Sequence, residues 1–285
     1  MRKDGLFSSR IVLQRPLHSG ALHIVEGKNM HPFLKKLQDG QLGLGTCISV
    51  SDACVVEALA PDADFLWIDT EHSPMTLEHL KGHLMAVKGS QVASLVRVPW
   101  NDPVLMKPIL DLGADGIIVP MIQTADDVRR AVSACRYPPV GERGFGPLRP
   151  LNYGRIDADQ FCKDADESIM VVVQIEQVEA VENIDDILSV PGLSSLAFGP
   201  MDLSASLGVR AQPSHPKVLE AVRHVVERAQ AAEIPTGVSF GSTPEAVYQW
   251  IDLGVNWIAM GVDVTLMIQC FNDVAKQAQT YFSGR

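Results

Sequence analysis

This chain has little that would tie it to a membrane, to nucleic acid or to an oxidising compartment. No stretch approaches the ~20 consecutive apolar residues of a membrane span, although 46% of the 285 residues are hydrophobic. Basic residues are outnumbered, 24 Lys+Arg against 34 Asp+Glu for a net charge of −10. No general attraction therefore draws the protein to phosphate backbones or anionic lipid, and an anionic small substrate needs a local cationic clamp. The five cysteines, Cys47, Cys54, Cys135, Cys162 and Cys270, form no C-x-x-C pair. Scattered, odd in number and without a secretory signal, they read as free thiols of a cytoplasmic protein. A P-loop and a G-x-G-x-x-G turn are both missing, which removes the signatures of nucleotide-binding proteins. The first thirty residues hold five Lys/Arg against Asp4 and Glu26 but no apolar targeting core. Residues 1–29 are expected to be an N-terminal extension, a loose tail or outer strap, ahead of one domain spanning 30–285.

What is present is alternation. Eight short apolar runs bounded by Gly, Pro or polar turns stand at Gly43–Val50, Phe65–Asp69, Ala93–Pro99, Gly116–Ile122, Val171–Glu176, Ser195–Pro200, Pro235–Phe240 and Trp257–Val262. Most are near-continuous in Val, Ile, Leu, Ala and Met, as strands of a parallel sheet buried on both faces should be. Helical patterns lie between them at Ala53–Leu59, Thr76–Val87, Pro103–Leu112, Ala125–Cys135, Val178–Leu188, Pro216–Ala231 and Pro244–Leu253, and Val264–Tyr281 closes the series. Asn101-Asp102-Pro103, Thr124 and Ser242-Thr243-Pro244 supply caps or first-turn prolines at helix starts. Gly113 and Gly254 end two helices in echoed Leu-Gly turns. Eight βα units predict a single (β/α)8 TIM barrel. An open doubly wound sheet shares the alternation, but fits the strand count and the missing glycine-rich turn less well.

In a barrel the active site gathers at the carboxyl ends of the strands. Strand two ends Ile68-Asp69-Thr70-Glu71-His72, strand three carries Arg97, strand five ends Gln174-Ile175-Glu176, and strand six ends Gly199-Pro200-Met201-Asp202. Gln174 and Glu176, two apart, share a face, and an ionised Glu176 inside the barrel needs a partner. Glu176 and Asp202 are two hard oxygen donors suited to Mg²⁺ or Mn²⁺ with open positions for a chelating substrate, or each pairs with a buried Arg or caps a loop. Arg97 either grips a carboxylate or enolate oxygen or forms a structural ion pair with Asp69 or Glu71. His72 is either a base near neutral pH or a loop hydrogen-bonder.

Other features carry less. His79 and His83 are spaced i, i+4 without an H-E-x-x-H pattern and read as solvated helix positions. No lysine falls in a predicted strand, which weighs against a Schiff-base aldolase. The fourth unit carries an insertion, residues 136–170, opening with a Gly/Pro-rich loop that is either an irregular connection or, with exposed backbone N–H groups and Arg143 beside the mouth, a cover for an anionic ligand.

Taken together, Trp67–His72, the Arg97-to-Pro103 stretch, the Tyr137–Gly146 loop, Gln174–Glu176 and Gly199–Ser204 resemble the HpcH/HpaI aldolase family, and within it the branch acting on 4-hydroxy-2-oxoheptanedioate. The resemblance runs from about Phe33 to Ala278. It implies a class II pyruvate aldolase: Glu176 and Asp202 hold the divalent ion, and Gln174 with the backbone near Met201 contacts the pyruvyl portion. It further implies that His72 is the base, that Arg97 stabilises the enolate, and that Asp111 polarises His72 across a subunit boundary in a homohexamer, a trimer of dimers with exchanged C-terminal helices. Asp111 precedes strand four, at the wrong end of its own barrel, so only a neighbouring subunit would bring it into use. Thr70 and Met201 replace small residues common in the family. The reaction implied is cleavage of a 4-hydroxy-2-oxo acid to pyruvate and an aldehyde. Acyl-CoA lysis, oxaloacetate decarboxylation or a carbon–carbon-forming synthase reaction would use the same residues, and a catalytically silent barrel is the remaining alternative. Mg²⁺, Mn²⁺ and Co²⁺ are not separable from the sequence.

Overall fold

The computed structural model describes residues 30–285, so the expected extension, residues 1–29, lies outside the described residues. The strands are β1 Gly43–Ile48, β2 Phe65–Asp69, β3 Ala93–Arg97, β4 Gly116–Val119, β5 Met170–Ile175, β6 Ser195–Phe198, β7 Thr236–Ser239 and β8 Trp257–Val262. They pair in parallel in chain order and close into a barrel. The pairing of β1 with β8, from Gly43 opposite Trp257 to Cys47 opposite Val262, excludes the open sheet. Around them run α1 Pro32–Gln38, α2 Ala53–Leu59, α3 Leu77–Ala86, α4 Pro103–Asp111, α5 Ala125–Cys135 and α6 Ala158–Ser168. The series continues with α7 Val178–Glu182, α8 Ile184–Leu188, α9 Pro200–Ser206, α10 Pro216–Ala231, α11 Pro244–Asp252 and α12 Asp263–Ser283.

The expected caps form. Asp102 accepts the Val104 N–H at 2.8 Å, and Thr124 and Asp127 exchange a capping box. The strands β3, β4 and β6 stop short of their apolar runs because Pro99, Pro120 and Pro200 follow and offer no N–H to the ladder. Pro200 instead opens α9, an unexpected helix that lifts Asp202 from the strand end into a helical first turn. The expected helix 178–188 breaks at Asn183 into α7 and α8. The helices α1 and α6, the latter inside the insertion, are additional to the eight helical patterns of the sequence.

The apolar runs conceal a period of two. Ile48, Leu66, Ile68, Val96, Val119, Val173, Ile175, Phe198 and Ile258 face the helices in one large core. Their neighbours Cys47, Phe65, Trp67, Leu95, Ile118, Val172, Ala197 and Trp257 form a second core in the barrel lumen, closed at the amino end by Phe33 and Leu37 of α1. Alternate positions therefore point to opposite sides. Carried one step toward the carboxyl ends, the lumen series reaches Asp69, Arg97 and Gln174, so polar groups sit on an apolar plug. Room for the lumen rings comes from Gly237, where a Cβ would stand 1.9 Å from the Trp257 ring.

Two expectations are corrected. The loop after α5 does not border the mouth, because α5 runs back along the sheet and delivers the chain to the amino end. There Arg149 donates to the Leu112 and Leu84 carbonyls, and Arg143 is buried against Asp111 at 3.1 Å with its guanidinium 4.6 Å from the Tyr137 ring centre. His83 is not solvated: it is fully buried and its Nε2 meets the Val50 carbonyl at 2.9 Å, tying α3 to the loop after β1. His79 keeps partial access to solvent as the third residue of α3, in its capping box.

Candidate active site

At the end of β2, Asp69 organises the mouth. Its Oδ1 accepts the Glu71 N–H at 3.0 Å and the His72 N–H at 3.3 Å, and its carbonyl accepts the Ser73 hydroxyl. Both Asp69 oxygens also bind Arg97 on the neighbouring strand, Nε to Oδ1 at 3.0 Å and Nη2 to Oδ2 at 2.8 Å. Arg97 Nη1 lies 3.1 Å from Glu71 Oε2. The ion pair weighed as the alternative role of Arg97 is thus present, with both acids at once. Burial works against the guanidinium charge, but these carboxylates more than offset it and hold its pKa above the ordinary value. A guanidinium has five N–H donors, so three such contacts leave two N–H groups uncommitted among the described residues. His72 is 66% exposed at the rim, its Nε2 3.6 Å from Glu71 Oε2.

Across the lumen, Glu176 lies one residue beyond β5 and is only 3% exposed. Its Oε2 accepts Gln174 Nε2 at 2.8 Å, and its Oε1 accepts the Met121 N–H at 2.7 Å. Met121, just past β4, holds φ at +57°, a left-handed conformation that costs a non-glycine residue about 1 kcal/mol. That twist turns its N–H onto the carboxylate. Gly199 makes the other wall: a Cβ there would stand 2.4 Å from Glu176 Oε2 and 3.2 Å from Gln174 Nε2. Neither the Met121 contact nor the close approach of Gly199 to Glu176 is announced by the sequence. Only the Gly-Pro after β6 hinted at the second, and nothing local announces a left-handed Met. Met201 and Asp202 are exposed on the first turn of α9, beside this wall.

The electrostatics join these groups into one site. Burial pushes the Glu176 carboxyl up to about 7, with repulsion from Asp202 and Glu71 adding, and the Met121 N–H and Arg97 opposing. Burial also pushes Glu71 up to about 7, with Asp69 and Asp202 adding and Arg97 opposing. The sequence-selected Asp69, Glu71, Arg97, Gln174, Glu176 and Asp202 therefore converge, with Met201 and His72 at the edge. Asp111 does not join them: it ends α4 at the opposite end of the barrel, paired with Arg143.

The donor set fits a divalent cation. Four carboxylates face one guanidinium, Glu176 has no cationic partner closer than a hydrogen-bonded amide, and the Gln174 Oε1 is buried without a partner among the described residues. No group of three or more His, Cys, Asp or Glu positioned to hold an ion occurs among those residues. A cation would therefore take Glu176 and Asp202 and fill its remaining positions from water or substrate, as hard ions do in open sites.

The comparisons agree with this fold. Residues 48–270 match the family model of the HpcH/HpaI aldolase/citrate lyase family. The chain is 36% identical over 238 residues to a 4-hydroxy-2-oxo-heptane-1,7-dioate aldolase of Salmonella paratyphi C, covering 82% of this chain and 89% of the relative. It is 36% identical over 257 residues to a 2-keto-3-deoxy-L-rhamnonate aldolase of Escherichia coli O157:H7, covering 89% and 94%. Among solved structures, an HpcH/HpaI aldolase from Desulfitobacterium hafniense superposes with a TM-score of 0.80 at 30% identity, covering 86% of this chain and 95% of that one. The chain belongs to the HpcH/HpaI aldolase/citrate lyase family.

Proposed function

We propose that this protein is a divalent-metal-dependent aldolase that cleaves a 4-hydroxy-2-oxo acid to pyruvate and an aldehyde through a pyruvate enolate. The observation that carries the reading is the buried Glu176 carboxylate, held by two neutral donors with no cation of its own and facing an arginine with N–H groups to spare. Both relatives act as aldolases on oxo acids of this kind by their names. Glu176 and Asp202 would hold Mg²⁺ or Mn²⁺, which when bound supplies Lewis-acid charge at the 2-oxo group and open positions for a chelating substrate.

The chain's own residues account for the rest. Gln174 and the backbone around Met201 position the pyruvyl portion. His72, exposed at the rim, takes the proton of the C4 hydroxyl as the C4 carbonyl forms, and the electron pair of the broken C3–C4 bond becomes the C2–C3 double bond of the enolate. The free N–H groups of Arg97 meet the negative charge that develops on the C2 oxygen, and because Asp69 and Glu71 fix the guanidinium beforehand, no reorganisation is needed during the reaction. Protonation at C3 then releases pyruvate.

The chain is further read as a cytoplasmic homohexamer in which Asp111 serves the His72 of a neighbouring subunit. Asp111 is partly exposed and lies 3.8 Å from the position a Cβ would take at Gly146, in a loop whose Phe145 and Leu148 are exposed. On α12 only Asp263 is buried, while Met267, Ile268, Phe271 and Val274 lie exposed, which supports exchange of this helix between subunits. All five cysteines are free. No helix of the described residues is long and apolar enough to cross a membrane.

The test is pyruvate release by chelator-treated protein offered 4-hydroxy-2-oxo acids and oxaloacetate, with and without Mg²⁺ or Mn²⁺. Metal-dependent pyruvate from a hydroxy-oxo acid is the expected result. Release from oxaloacetate alone, or at the same rate without metal, overturns the reading.

A further inference from the structure

The guanidinium of Arg97 is fixed within its plane by Asp69 and Glu71. What fixes it out of that plane is Trp67, two residues before Asp69 on the lumen face of β2. The Arg97 Cζ lies over the Trp67 ring, 5.4 Å from its centre. Trp67 is 1% exposed and heads a column of rings through the lumen. Its ring centre is 6.0 Å from that of Trp257, which stands 5.1 Å from Phe65, and Phe65 lies 5.0 Å from Phe33 of α1. The floor beneath the arginine thus rests on the helix that plugs the far end of the barrel.

Trp67 is an unusual choice for a packing role alone. Its indole N–H is buried with no partner among the described residues, a loss of stability that leucine or phenylalanine would avoid. What indole offers is the most strongly cation-attracting aromatic face. It also offers no acceptor toward the guanidinium, so it supports the charge without consuming N–H donors. A glutamine or serine in the floor would take one of the two donors left after the ion pairs.

We infer that Trp67 is a positioning residue of the active site: its indole face sets the tilt at which Arg97 presents its uncommitted N–H groups to the enolate oxygen. The inference rests on the aldolase reading above and adds a residue to it. Arg97 remains the group that touches the substrate, and Trp67 acts through it.

The experiment compares wild type, Trp67→Phe, Trp67→Leu and Arg97→Ala as Mg²⁺-loaded proteins. The readouts are exchange of the pyruvate methyl protons into D2O by NMR, kcat and KM for cleavage, and thermal midpoint. Trp67→Leu should slow exchange and kcat about thirtyfold, equivalent to ~2 kcal/mol at 1.36 kcal/mol per decade, with KM within about twofold. Trp67→Phe, which restores a π face, should recover to within about threefold of wild type while its midpoint stays close to that of Trp67→Leu. If Trp67→Leu does not fold, Trp67→Met takes its place with the same expectation. Exchange at the wild-type rate in the aliphatic variant overturns the inference, as does a fall in both variants that follows only their loss of thermal midpoint. Equal exchange in wild type and Arg97→Ala would instead remove the role of Arg97 itself, and with it the reading on which the inference stands.

Discussion

Stripping the metal should make the protein lose stability as the pH rises, and most of that loss should trace to Glu176. Its carboxyl moves from an ordinary 4.5 to about 7 in the fold, chiefly through burial. Between those values the folded state keeps a proton that the unfolded chain has released. The folded state then binds more protons than the unfolded one, so unfolding free energy falls with increasing pH. Below 4.5 both states are protonated and there is no penalty; above about 7 the penalty is complete. A shift of about 2.5 units at 1.36 kcal/mol per unit amounts to about 3 kcal/mol, or roughly 6 °C in thermal midpoint for a chain of this size. Glu71 is pushed the same way, but it is more open to solvent and adds less. The assay is a thermal melt in chelator at pH 5, 6, 7 and 8 for wild type and Glu176→Gln. The neutral amide keeps the shape and removes the penalty, so the variant should show a shallower decline and melt above wild type at pH 8. Mg²⁺ at ~100 times its Kd should return about 2.7 kcal/mol to wild type and little to the variant. Parallel pH slopes in chelator, or equal stabilisation of both proteins by metal, would refute the reasoning.

Three further outcomes are expected. Arg97→Ala should lower kcat for pyruvate release by about 10²–10³-fold, the usual loss on removing a preorganised donor to a developing oxyanion, and unchanged turnover in a steady-state assay would remove its assigned role. Gly199→Ala places a Cβ 2.4 Å from Glu176 Oε2, so titration calorimetry should find Mg²⁺ affinity reduced at least about tenfold with the circular dichroism spectrum preserved; wild-type affinity would show that Glu176 is not the ligand. His72→Ala and Asp111→Asn should each be nearly inactive alone yet recover activity when co-refolded, since mixed oligomers pair an intact His72 with an intact Asp111 of a neighbour. No recovery in mixed oligomers verified by native mass spectrometry would confine Asp111 to its pairing with Arg143.

The barrel and the rim of its site were legible because both depend on local order. A run such as Phe65–Asp69 declares a strand through its composition, its capped neighbours declare helices, and the βα succession assigns every strand a carboxyl end. Asp69, Arg97, Gln174 and Glu176 could therefore be named in advance as residues meeting at one mouth, and family resemblance supplied their roles. The sequence by itself also determined the alternation that sends Trp67 and Asp69 to the same side of β2, since a strand's side-chain period is fixed by its backbone.

Only the tertiary structure decided who meets whom across chain separations that no local pattern encodes. Met121 reaches Glu176 from β4, Gly199 presses on it from β6, and Trp67 comes to lie under Arg97 from the adjacent strand. The burial of His83 and the descent of Arg143 to the amino end differ from the sequence expectation for the same reason. A helix exposes or hides a residue according to what packs on it, and a loop's address depends on the direction of the helix before it. The shifted acidity of Glu176 and Glu71 belongs to this second class, because exclusion of water and the proximity of like charges arise only when the barrel closes.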